Sequence, residues 1–243
     1  MEGIVNYRTL AAGLNNRQGQ SIRLGAIHRS GTIELASEGD IETLRRAGVN
    51  HIYDFRSQEE HARTPASITQ AFTVRHYDIL KAASLYQLGQ LMEAHRSEIR
   101  QMMVEMYADS FAKTPLFGQV IRDIAAQDAP AFLFHCAAGK DRTGVFGAIL
   151  MMMLDFDEAA IRTEHQRIDQ PAMEGVKQMI FRRRNIPEDT SHFDEMFTIL
   201  PEYTDAFFDA VYSAFGSTDA YLKNLLGVTE EDKKWFQQRY MAG

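Results

Sequence analysis

At 243 residues, with 45% hydrophobic and 24% charged positions, the chain has the composition of an ordinary folded domain. A formal charge of −7 argues against wholesale nucleic-acid binding, so an anionic ligand must be drawn in by local positive charge. One cysteine, Cys136, excludes an intramolecular disulfide framework and a multi-cysteine zinc site. No stretch approaches the run of about 18 apolar residues that a membrane span requires, which argues against stable membrane insertion.

The first twenty residues, MEGIVNYRTLAAGLNNRQGQ, lack the basic-then-apolar pattern of a cleaved signal, the expectation for a cytoplasmic protein or one exported by another route. SEGDIETLRRAG (37–48) reads as a helix with Ser37 as N-cap, Asp40 three residues on and Gly48 as terminator. VNHIYDF (49–55) and FTVRHYD (72–78) have the β-branched and aromatic content of strands. Leu85, Leu88, Met92, Ile99, Met103 and Met106 recur at broadly helical intervals, with His95 interrupting the stripe. Thr114-Pro115 predicts a helix start, and Leu116, Val120, Ile121 and Ile124 mark one face of that helix down to Gln127. AFLFHC (131–136) then reads as a buried strand, and from Thr143 to Leu154 the chain is apolar almost all round, as a core helix is. The remainder reads as helices, with Ser217 or Thr218 and then Thr229 as caps and Gly227 between them. Helix, buried strand, tight loop and buried helix together predict an α/β fold in one domain, 1–243. The loop lies at the carboxyl end of a strand, where such sheets place their ligands.

That loop runs Cys136-Ala137-Ala138-Gly139-Lys140-Asp141-Arg142, followed by Thr143 and Gly144. Five residues between cysteine and arginine allow the backbone N–H groups to curl inward as an anion-binding nest, reinforced by the helix start. Ala137, Ala138 and Gly139 are small enough to leave the cradle open, and Lys140 lies beside them. Arg142 offers a planar fork for two phosphate oxygens. Positive potential at the base of such a cradle favours the nucleophilic thiolate of a cysteine. Nucleophile, nest and clamp together describe phosphoryl transfer through a cysteinyl-phosphate. A rhodanese-like sulfurtransferase also cradles a cysteine at a strand end, and a non-catalytic phosphate-binding module is the reading without turnover.

HCAAGKDRTG (135–144) resembles the signature loop of the protein tyrosine phosphatase superfamily, in the form of its atypical bacterial branch. The likeness extends to NYRTLAAG (6–13), IHRSG (27–31), YDFRSQEE (53–60) and GSTDAYLKNLLG (216–227), in order along most of the chain. Thr9, Ala11 and Ala12 depart from the branch's usual Asp and glycines, and TEHQRIDQPA (163–172) lacks its Asp-Tyr. The resemblance implies a central, mainly parallel sheet flanked by helices with a helical C-terminal part. It also implies a cofactor- and metal-independent phosphatase acting on phosphotyrosine, phosphoserine/threonine or phosphoinositides.

The site residues carry competing readings. His135 adjoins Cys136 on a strand, so their side chains point to opposite faces; His135 orients the loop and is not a catalytic base. Thr143 caps the helix start, donates to the cysteine sulfur, or does both. The resemblance assigns the general acid to Asp141, although Lys140, Arg142 and the helix start favour its ionised form. Asp78, after the second strand, is the rival acid. Lys140 is a solvated loop lysine or a second cation over the phosphate, the latter accompanying phosphoinositide activity in this branch. Arg56 pairs with Asp54 or points into the site. Arg182, Arg183 and Arg184 form a basic run that is a solvated helix face or, secondarily, a phospholipid contact.

Overall fold

The computed structural model describes residues 1–80, 96–127, 129–184 and 191–242. Five strands form one mostly parallel sheet: β1 (Arg8–Thr9), β2 (Ile27–Ser30), β3 (Val49–Asp54), β4 (Thr73–His76) and β5 (Ala131–His135). Their spatial order is β1-β2-β5-β3-β4, and only the β1–β2 pair is antiparallel. Helices α1 (Glu38–Arg46), α2 (Gln58–His61) and α3 (Ala66–Ala71) lie between β2 and β4 in the chain. After β4 come α4 (Arg96–Glu105), a π-helical segment (Met106–Phe111) and α5 (Leu116–Gln127). Beyond β5 the described chain is helical: α6 (Asp141–Met153), α7 (Glu158–His165), α8 (Gln170–Arg184), a 3-10 segment (Ser191–Phe197), α9 (Pro201–Phe215), α10 (Thr218–Asn224) and α11 (Glu230–Tyr240). None of the described helices is long and apolar enough to cross a membrane.

β5 is central, and every one of its residues is buried, which is why AFLFH is continuously apolar and not alternating. Its side chains still divide by face. Phe132 and Phe134 enter one core with Phe55, Phe117 and Phe146, while Ala131 and Leu133 join Ile41, Leu44 and Ile68 on the other side. In β3, Val49 and Ile52 share that second face although they are three positions apart. A bulge between Val49 and His51 shifts the register by one and reconciles them. Each fully buried phenylalanine contributes roughly 1.5–3 kcal/mol, so the aromatic core beneath the loop holds β5 and α6 in fixed relation.

The register carries the strand ends to one edge. Ser30 and Asp54 both stand opposite His135, so β2, β5 and β3 finish together. The residues that follow, Gly31, Phe55 and Cys136, surround one spot at the carboxyl edge of the parallel strands.

Local signals held at most boundaries. Ser37 and Asp40 make the reciprocal capping box of α1, and Thr229 and Asp232 make that of α11. Ser217, not Thr218, caps α10. Thr114 Oγ1 accepts from the N–H of Leu116 at 3.3 Å, and α5 ends at Gln127 as expected. The helix after the loop begins at Asp141, two residues ahead of the expected start, so Asp141 and Arg142 belong to its first turn. Of the methionine-containing stripe, Ile99 and Met103 are buried in or beside the core; Leu85, Leu88, Met92 and His95 lie outside the described residues.

Candidate active site

Cys136 follows the last residue of β5 and is 2% exposed. The loop after it is shaped from outside. The carbonyl of Ala137 accepts from the N–H of Thr32 at 2.8 Å. Those of Ala138 and Gly139 accept from Asn6 Nδ2 at 3.3 and 3.1 Å, and Arg29 Nη2 adds a second bond to Gly139 at 3.1 Å. Bonds from Thr32, Asn6 and Arg29 thus hold three successive carbonyls and fix the curl of the loop, as an anion nest requires. Gly139 has φ 69°, and a Cβ there would lie 2.4 Å from the nitrogen of Gly31; only glycine fits the turn.

Arg29 is itself buried, and burial lowers its guanidinium to about 10, with Arg8 adding to the effect and Glu164 opposing it. Glu164 Oε1 accepts from Arg29 and from Arg8, each at 3.1 Å. Asn6 and Arg29 thus turn two of the resembling segments, NYRTLAAG and IHRSG, into the outer brace of the loop. No local sequence pattern marks Asn6 or Arg29 for this role, because their partners lie more than a hundred residues away.

Arg142 is held from the other side. Its Nη1 donates to the Phe55 carbonyl at 3.1 Å and to Glu60 Oε2 at 3.3 Å. Glu60 also closes the capping box of α2 through the N–H of Ser57 at 2.9 Å, so one carboxylate fixes a helix start and the guanidinium together. Burial alone would lower Arg142; the Cys136 sulfur and then Glu60 outweigh it and hold the guanidinium above its ordinary range. Glu60 was missed in the sequence, although Ser57-x-x-Glu60 is a readable capping signature.

Cys136, Ala137, Ala138, Lys140, Asp141 and Arg142 line one cavity of about 420 Å³. Its opposite wall is apolar, built by Met179, Ile180 and Phe181 of α8 and by Phe193, Met196 and Phe197 of the 3-10 segment. Arg63 and Arg183 stand in the wall too, both tied to Glu34, whose Oε2 accepts from Arg183 at 2.8 Å. Arg183 is therefore neither a purely solvated face nor unpartnered.

Other sequence-derived assignments move. Arg56 is fully buried, and its five donors reach Asp54, Thr32, Glu34 and Thr64; it is the structural half of the Asp54–Arg56 pair and does not enter the cavity. Asp78 does not belong to the cavity wall, and its Oδ1 is buried without a hydrogen-bond partner among the described residues. Lys140 is not a solvated lysine: it is 2% exposed, its ammonium pairs with Asp141 Oδ1 and lies 5.9 Å from the centre of the Tyr203 ring. His135 is fully buried with Nδ1 3.3 Å from the Cys136 carbonyl, a contact that braces the loop. Burial pushes this histidine down to about 4. Thr143 Oγ1 is buried with no hydrogen-bond partner among the described residues.

Behind Asp141 stands a set of buried polar groups that no sequence signal announced. Tyr107, fully buried in the π-helical segment, donates to Asp141 Oδ1 at 2.8 Å. His165 Nε2 is 3.4 Å from the same hydroxyl, and its Nδ1 is 2.9 Å from Thr204 Oγ1. Gly144 gives the ring room, since a Cβ there would lie 2.5 Å from His165 Cδ2.

Burial, followed by the cations Arg29 and Lys140, lowers His165 to about 3. The folded state therefore resists protonating a ring that titrates near 6.5 when unfolded, and stability is lost as pH falls from 6.5 toward 3. At pH 5 the loss from this one group is about 2 kcal/mol. Thermal melts at pH 7 and pH 5 should show a smaller acid-induced drop in His165→Gln than in the parent; parallel drops would refute this account.

Residues 1–242 match the family described as the tyrosine phosphatase family. A protein of Cupriavidus necator, whose name assigns it to the tyrosine-protein phosphatases, is 28% identical over 243 residues, covering 99% of this chain and 87% of its own. A tyrosine-protein phosphatase of Nostoc commune is 26% identical over 231 residues, 87% of this chain and 73% of that one. A solved structure, TpbA of P. aeruginosa, is 17% identical with a TM-score of 0.35, over 67% of this chain and 86% of that chain, too distant to add weight. The match over the full length, with the loop, its brace and its clamp in one place, means that the chain belongs to the tyrosine phosphatase family.

Proposed function

We propose that the chain is a cysteine-dependent phosphatase that hydrolyses phosphate monoesters, phosphotyrosine foremost, through a cysteinyl-phosphate, and that residues 1–243 form one catalytic unit. The observation that carries the reading is Arg142: a guanidinium locked by Glu60 and the Phe55 carbonyl in the cavity that Cys136 opens into. In the first step the Cys136 sulfur attacks phosphorus, the bond from phosphorus to the ester oxygen breaks, and Asp141 gives that oxygen its proton. The nest and Arg142 stabilise the equatorial oxygens as charge develops. In the second step water attacks phosphorus and returns a proton to Asp141. The sulfur–phosphorus bond breaks, releasing inorganic phosphate. The Thr143 hydroxyl, which has no hydrogen-bond partner among the described residues, donates to the departing sulfur.

Asp141 is assigned as the acid, not Asp78, because it lines the cavity with Cys136. The apolar wall of Phe181, Phe193 and Phe197 supports an aromatic ester, whose ring is buried as the phosphate enters the cradle. Arg63 and Arg183 on the same wall support phosphoinositides as a second reading, through the further phosphates of a headgroup. Family membership takes the place of the sulfurtransferase reading.

A substrate panel tests the proposal. Phosphate release should be fastest from a phosphotyrosine peptide, with phosphoserine and phosphothreonine peptides and phosphoinositide vesicles as the other arms. No release from any arm leaves the non-catalytic module standing. Asp141→Asn should cost about 10²-fold or more on an alkyl phosphate and far less on nitrophenyl phosphate, whose leaving group needs no proton. Equal losses on the two esters would remove Asp141 from the mechanism.

A further inference from the structure

We propose that Tyr107 is a positioning residue that confines the acidic proton of Asp141 to Oδ2, through a one-way hydrogen-bond chain from Thr204 through His165 and Tyr107 to Asp141 Oδ1. The inference rests on Asp141 being the general acid.

The direction of the chain follows from counting protons. A phenol has one proton, and Tyr107 commits it to Asp141 Oδ1 at 2.8 Å. At its other contact, 3.4 Å from His165 Nε2, the Tyr107 oxygen must then accept, so Nε2 carries the hydrogen. The neutral ring is bare at Nδ1, which accepts from the Thr204 hydroxyl at 2.9 Å. Thr204, His165 and Tyr107 are all buried, so no exposed group competes for these bonds.

Asp141 Oδ1 therefore receives two donors, the Tyr107 hydroxyl and the Lys140 ammonium. Neither has a lone pair free to take a proton from it: the ammonium has none, and the phenol is oriented as donor. A proton on Oδ1 would face two hydrogens, whereas a proton on Oδ2 faces neither. Oδ2 is thus the oxygen that holds the proton and passes it to the ester oxygen.

The π-helical turn is the structural device that supplies the hydroxyl. Tyr107 lies in Met106–Phe111 and is stacked on Tyr203 at 5.6 Å, with Phe111 edge-on at 5.2 Å. These rings fix its plane while the hydroxyl reaches Asp141. Single-turn π segments of this kind often mark functional sites.

Tyr107→Phe keeps the ring packing and removes only the hydroxyl. Expected is a loss of about tenfold in kcat/KM on an alkyl phosphate, the scale of one hydrogen bond to a charged group, and under about twofold on nitrophenyl phosphate. In an Asp141→Asn background the same change should add nothing on either ester. Thr204→Val, isosteric and further from the acid, should lose in the same direction by about threefold and decides the matter where Tyr107→Phe does not fold. Equal losses on both esters, or a Tyr107→Phe loss that persists beside Asp141→Asn, would overturn the proposal. If Asp141→Asn discriminates between the esters and neither Tyr107→Phe nor Thr204→Val does, only the positioning role falls. If Asp141→Asn itself does not discriminate, the acid assignment falls and this inference with it.

Discussion

Cys136→Ser should lower kcat by about 10⁴-fold or more while leaving the affinity for a phosphotyrosine peptide within a few-fold of the parent. The two effects separate because different atoms produce them. In the proposed complex, binding rests on the loop backbone, Arg142 and the apolar wall, whose side chains the substitution leaves in place. In the proposed chemistry the Cys136 sulfur attacks phosphorus, and a serine hydroxyl, a far weaker nucleophile, would need a base that neither His135 nor a proton-bearing Asp141 supplies. His135, the adjacent imidazole, is buried on the far side of the loop with Nδ1 directed to the Cys136 carbonyl. Calorimetric titration of the variant with phosphopeptide, beside stopped-assay turnover, measures both quantities. Residual turnover above about one per cent would mean that Cys136 is not the nucleophile. Loss of binding would mean that the loop had collapsed and the test had become structural.

The same contrast between strand and loop explains which parts could be read in advance. β5 was legible because a run of five buried residues cannot alternate, and its end was legible because Gly139, Lys140, Asp141 and Arg142 cannot extend a buried strand. Helix starts at Ser37 and Thr229 were legible because a capping box is a local pattern, complete within four residues. The start of α6 was placed two residues late because Asp141 and Arg142 serve as site groups and first-turn residues at once.

What escaped the sequence depends on long-range neighbours. Whether Lys140 faces water or turns under Tyr203 is decided by α9, more than sixty residues on. Arg56 became structural because Thr32 and Glu34 from the stretch after β2 and Thr64 from the stretch after α2 arrive to complete its donors. Tyr107 has no spacing relation to Asp141 at all; a π segment and the packing of α9 bring them together. One departure from the branch's pattern shows its local cost directly. Ala11, at a glycine position of the pattern that NYRTLAAG resembles, adopts φ 55°, a left-handed conformation that costs a non-glycine residue roughly 1 kcal/mol. It nevertheless sits buried beside Leu10 in the core below the loop's brace.

Arg142→Lys should cost about 10³-fold in kcat, although it conserves charge. A guanidinium can donate through Nη1 to Glu60 and Phe55 and keep further N–H groups for a ligand in the cavity that Arg142 lines. It is therefore oriented before substrate arrives, and two of its donors can meet two phosphate oxygens in the plane that the transition state requires. An ammonium is a point charge on a flexible stem, and Glu60 with the Phe55 carbonyl offers it a complete site facing away from the phosphate. The variant should accordingly lose rate far more than affinity, since steering of the dianion survives while bidentate stabilisation of the transferring phosphoryl group does not. Single-turnover rates and vanadate affinity distinguish the outcomes, because vanadate takes the five-coordinate geometry of the transition state. Vanadate binding should weaken in step with the rate. A slow variant that binds vanadate as tightly as the parent would show that Arg142 acts through the fold of the loop and not on the phosphoryl group.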